Sequence, residues 1–143
     1  MGIKAIDITP IASYGPTAVT PPNKDVQVKV FAINRTDTAA SVKCVLPADA
    51  TIIDMRVYTA TASDAATTAT ISVGIPGTNT FYLNTVDVKS AAGRIAVTTK
   101  AANFMNLENT PLGADIQING IYAETGTAST VGGPFYVTVE YVR

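Results

Sequence analysis

The last stretch of the chain, Phe135-Tyr136-Val137-Thr138-Val139-Glu140-Tyr141-Val142, alternates apolar and mixed residues with a period of two. A pleated strand has this period, because its successive side chains point to opposite faces; a helix repeats its faces every 3.6 residues. Phe135, Val137, Val139 and Tyr141 therefore share one face, and Tyr136, Thr138 and Glu140 the other. This regular alternation of aromatic and β-branched residues predicts a central or well-paired strand.

Shorter runs of the same kind recur along the chain. Val26, Val28 and Val30 alternate with Gln27 and Lys29, so the valines are expected to face a core. Strands are also predicted at Ser41 to Leu46, Thr70 to Ile75, Phe81 to Leu83, Arg94 to Thr98 and Asp115 to Ala123. Another runs from Thr51 to Thr61, with Ile53, Met55 and Val57 on one face and Arg56 and Tyr58 on the other. Asn34-Arg35-Thr36-Asp37, Pro47 and Pro76-Gly77 punctuate these runs as turns. The Ala-rich stretch Ala60 to Ala66 is too short, and too closely flanked by β-branched Thr, for a stable helix, and is read as a hairpin loop. Ala101 to Leu107 has room for one helical turn. Many short strands separated by turn residues place the chain in the all-β class, as an antiparallel β-sandwich of the jelly-roll or immunoglobulin-like (Ig-like) kind.

The first 24 residues read differently from the rest. Four of the chain's eight prolines, Pro10, Pro16, Pro21 and Pro22, lie there, and each removes a backbone donor and keeps its predecessor extended. Helix is excluded, yet Ile3, Ile6, Ile8, Ile11 and Tyr14 give the segment more apolar surface than a free linker needs. Two parts are expected: an extended arm over residues 1–24, docking on its own domain or on a neighbouring subunit, and a sandwich domain over residues 25–143.

Composition narrows the function classes. Charged residues make up only 15% of the 143 residues while apolar ones make up 47%, so Thr, Ser, Ala, Asn and Gly must build much of the surface. Weak charge gives little repulsion between copies and suits life in an assembly. A formal net charge of −1 without a basic cluster argues against a nucleic-acid partner. No run approaches the roughly 18 apolar residues of a membrane helix, and the N-terminus lacks a secretory h-region, so synthesis in a cytoplasm and no membrane partner are expected.

The chain has no His and a single Cys, so Ser-His-Asp and Cys-His nucleophile systems cannot be assembled from it, and zinc loses its usual ligands. Cys44, in the apolar run Val42 to Leu46, reads as a small buried hydrophobe. The carboxylates are scattered and sit mostly at turns (Asp25, Asp37, Asp49, Asp64), while Asp54, Asp87 and Asp115 are placed to pair with Arg56, Lys89 or Arg94. No calcium loop or phosphate-binding motif is present. No catalytic residue, metal ligand or cofactor site is assigned, and an enzyme is not expected. Tyr58, Tyr82, Tyr122 and Tyr136 are the candidates for outward-facing aromatics, which a sugar-binding surface would use and cross-strand packing would use equally well.

The stretches Leu46 to Val57, Ala69 to Gly74, Asn84 to Gly93 and Phe135 to Tyr141 resemble a module of tailed-bacteriophage virion proteins. In that module a lead-in Pro, a strand, a small-residue hairpin, a strand ending in Gly and an acidic-Lys-Ala-Gly segment follow one another. The resemblance covers residues 45 to 142 and leaves the arm out. It implies a non-enzymatic β-sandwich of the virion, either a capsid decoration or cement protein or part of a fibre. The implied partners are the major capsid protein and further copies of the chain, with a homotrimer favoured. The alternative is a tail-fibre module that binds a receptor or carbohydrate.

Overall fold

The computed structural model describes residues 25–97 and 113–143, so the N-terminal arm and the Ala101 to Leu107 turn lie outside the described residues. Among the described residues there are eight strands: β1 Val26–Ile33, β2 Ser41–Leu46, β3 Thr51–Thr59, β4 Thr68–Ile75, β5 Thr78–Asp87, β6 Gly93–Ile95, β7 Ile116–Thr125 and β8 Phe135–Val142. They form two antiparallel four-stranded sheets, ordered β1-β8-β3-β6 and β2-β7-β4-β5. The chain changes sheet at every step except from β4 to β5. This eight-stranded, sheet-alternating order is that of a jelly roll, which decides between the two sandwiches expected.

β8 occupies the central position its alternation predicts. It pairs with β1 on one side (Ile33 opposite Phe135) and with β3 on the other (Met55 opposite Val139, Val57 opposite Val137). The inward faces of both sheets meet in one core that includes Ile33, Leu46, Met55, Ile71, Leu83, Ile118 and Phe135. Pro76-Gly77 closes the β4–β5 hairpin, with Gly77 at φ +86° as the third residue of a Pro-Gly turn requires.

Four expectations need correction. Residues 60–66 do not form a hairpin loop: they carry the chain from β3 in one sheet to β4 in the other. Their backbone is fastened to the β7–β8 loop, with Gly133 N–H donating to Thr61 O at 2.8 Å and Asp64 N–H to Val131 O at 3.1 Å. Within β3 a register shift between Ile52 and Asp54 turns Ile52, not Ile53, into the core. A bulge adds one residue and so reverses the facing of everything before it. The Phe81 to Leu83 strand is the middle of the longer, twice-bulged β5, and of the expected Arg94 to Thr98 strand Arg94 and Ile95 lie in β6, Ala96 and Val97 follow it, and Thr98 is outside the described residues.

The fourth correction concerns β1. Val26, Val28 and Val30 point outward, and Phe31 and Ile33 are its core residues. Both faces of the sequence Val-Gln-Val-Lys-Val-Phe-Ala-Ile carry apolar residues, and periodicity cannot tell which face is inside. Phe31 and Ile33 lie opposite Val137 and Phe135, on the face where β8 concentrates its bulk, and that pairing sets the orientation.

Cys44 is half-buried against the core edge, and burial pushes its thiol up to about 11 despite the nearby Lys29. At pH 8 very little thiolate exists, so alkylation of the native protein is expected to run at least about tenfold slower than in denaturing urea. Equal rates, followed by mass spectrometry, would contradict this placement.

Candidate interaction surface

The outward face of the first sheet is the most distinctive surface of the described residues. Strand register arranges it in rows: Val28, Glu140 and Asp54; Val30, Thr138 and Arg56; Ala32, Tyr136, Tyr58 and Arg94. The middle of the face is polar. Arg56 donates to Asp54 at 2.8 Å and to Glu140 at 2.8 Å, and these charge-assisted hydrogen bonds raise the guanidinium pKa further. The Asp54–Arg56 pair was anticipated from sequence. Of the other anticipated acids, Asp87 accepts from the backbone N–H groups of Lys89 (2.8 Å) and Ser90 and from the Ser90 hydroxyl, and Asp115 accepts from Ala48 N–H at 2.8 Å. Both close turns.

The margin of the face along β1 is apolar. Val26, Val28 and Val30 are 59%, 54% and 60% exposed. Among the described residues β1 is an edge strand, paired only with β8. The adjoining edge of the second sheet is β2, whose Val42 and Val45 are 49% and 42% exposed. Five of the eight exposed large apolar side chains among the described residues therefore lie on these two edge strands. Patches of this kind mark contact surfaces, and edge strands offer unpaired backbone groups as well.

The four candidate tyrosines divide. Tyr58 and Tyr136 are 52% and 38% exposed and sit opposite one another across β3 and β8. Tyr82 and Tyr122 are buried, which corrects the expectation for both. Burial pushes the Tyr82 hydroxyl up to about 12. Tyr122 stacks on Phe135, with ring centroids 5.5 Å apart and an interplanar angle of 5°. Its hydroxyl lies 2.8 Å from Ser63 Oγ and 3.3 Å from Ser129 Oγ, and donates to Glu124 at 2.6 Å. Arg35 donates to Ser129 O at 2.7 Å, and Asp64 accepts from Thr130 N–H and Val131 N–H, each at 2.8 Å. These hydrogen bonds hold the Asp64 carboxyl below its ordinary range. Tyr122 and Glu124, at the end of β7, here knit together the loops that hold Ser63 and Ser129 at one end of the sandwich. The interaction residues of the arm, Ile3, Ile6, Ile8, Ile11 and Tyr14, lie outside the described residues.

Open grooves of about 390 Å³ and 250 Å³ flank β6, the first lined by Asp54, Arg56, Arg94 and Val97, the second by Asn84, Asp87 and Ala96. No group of three His, Cys, Asp or Glu among the described residues is arranged to hold a metal. The surface that sequence reasoning missed is the β1 margin. Its signal, three valines two apart, was present but assigned to the core.

No family model and no curated protein matches the sequence. Among solved structures the chain resembles one chain of the cyanophage Pam1 capsid asymmetric unit, with a TM-score of 0.59 and 19% identity, over 85% of this chain and 87% of that one. The likeness is one of fold, and it spans nearly the whole of both chains.

Proposed function

We propose that this protein is a structural component of a bacteriophage virion: a decoration or cement protein that binds the lattice of the major capsid protein and stabilises it. Its expected state is a homo-oligomer, a trimer in our reading, made in the host cytoplasm and assembled onto the shell. The observation that carries this reading is the likeness of this jelly roll in fold to a chain of a phage capsid, over 85% of this chain and 87% of that one. The sparse charge and the apolar β1 margin support it, since both suit a molecule that works packed against neighbours.

The test is addition of purified protein to phage shells that lack it, followed by sedimentation and electron microscopy. Stoichiometric binding at symmetry-related positions is expected, with a higher melting temperature of the shell. Protein that stays in the supernatant would overturn the reading.

A further inference from the structure

The valine margin of β1 needs an occupant. We propose that it is covered by the segment Ile3 to Thr9 of a second copy of this chain, added as a strand along the free edge of β1.

The first argument is the backbone. Among the described residues β1 is paired on one side only, so its outer edge offers a ladder to an incoming extended segment. Residues 3–9 contain no proline and can supply every backbone donor, whereas Pro16, Pro21 and Pro22 interrupt the residues nearer the domain. The second argument is side-chain period. On a strand Ile6 and Ile8 share one face, the spacing that sets them beside Val26, Val28 and Val30, which share the outward face of β1.

Chain length argues for a neighbouring copy. The described domain begins at Asp25, directly before Val26. A tight reversal there would lay residues 14–21 along the eight residues of β1 and carry the isoleucines past its far end. Extended, the residues between Thr9 and Asp25 reach about 50 Å, roughly twice the length of β1 at about 3.3 Å per residue. The isoleucine segment is therefore matched in chemistry to β1 and mismatched in position to its own β1. Passing it to the next copy resolves the mismatch of a tight hairpin, disulfide cross-linking separates this from a long loop back within one chain, and head-to-tail exchange closes into a ring where the rotation between copies permits.

This inference rests on the self-association part of the proposed function and not on capsid binding. The full chain is tested by light scattering, with circular dichroism to verify the fold. Wild type is expected to be an oligomer, and both Val28→Glu/Val30→Glu and Ile6→Ser/Ile8→Ser are expected to run as single folded chains. In a Cys44→Ser background, Ile6→Cys or Ile8→Cys combined with Val28→Cys or Val30→Cys is expected to give disulfide-linked chains on a non-reducing gel. A monomeric wild type would overturn self-association and this inference together. An oligomer that survives either pair of substitutions, or a disulfide closed within one chain, would overturn this inference alone. If Val28→Glu/Val30→Glu loses its fold, the isoleucine pair and the disulfide decide.

Discussion

Gly74→Ala is expected to destabilise the protein by more than about 3 kcal/mol, read as a fall in the urea midpoint with little change in slope. β5 bulges between its pairings with Val73 and Ile75 and folds its backbone over Gly74. A Cβ at that position would overlap the Thr78 carbonyl oxygen and stand 2.5 Å from the Asn79 carbonyl carbon and 2.7 Å from its oxygen. These are backbone atoms of the partner strand, so no rotamer change can relieve the contact; the hairpin has to open. Gly77, three residues on, supplies the contrast. Nothing lies within 4 Å of a Cβ there, and only its φ of +86° resists substitution, so Gly77→Ala should cost about 1 to 2 kcal/mol. A Gly74→Ala protein within 1 kcal/mol of wild type (about the error of the comparison) would show that β5 does not bulge over Gly74.

Phe135→Ala is expected to cost about 3 to 5 kcal/mol, the range for deleting a fully buried aromatic. Phe135 is wholly inaccessible, begins the central strand, and lies between Ile33 of β1 and Thr59 of β3. It also carries the ring of Tyr122, so its loss would undercut the hydroxyl that ties Ser63, Ser129 and Glu124 together. Tyr122→Phe isolates the second effect: stacking is kept, the hydrogen bonds go, and a loss of about 1 to 3 kcal/mol follows from groups left unpaired. Thermal unfolding of the two single variants and the double variant measures the coupling. Strict additivity would mean that the stack and the loop cluster act independently, contrary to the geometry.

Much of the core could be read directly from the chain. β8, β2 and the Pro76-Gly77 turn appear where local patterning puts them, because a period of two and a Pro-Gly pair are properties of a few adjacent residues. The errors share one cause. Local pattern points the β1 valines and Ile53 inward, where the structure buries Phe31, Ile33 and Ile52, and it leaves Tyr82 and Tyr122 open between an outward and a packed position. In each case the inward direction is set by a partner distant in sequence or by a bulge. Residues 60–66 were misjudged for the same reason: a loop joining two strands looks alike in sequence whether the strands pair or lie in opposite sheets.

The candidate surface follows the same division. Tyr58 and Tyr136 could be named from sequence, but their opposition across β3 and β8 depends on register. The exposed valines of β1 were visible as a pattern and invisible as a surface, because exposure depends on which face meets β8's bulky side.

By itself, then, the sequence determined that the chain is all-β, where most of its strands and turns lie, and that His-based and Cys-His nucleophile chemistry is absent from its inventory. Those conclusions need only composition and the geometry of neighbouring residues. Tertiary structure decided the jelly-roll order, the bulges and the turning outward of β1. These depend on pairings between residues far apart in the chain, where burying the larger face outweighs any local preference.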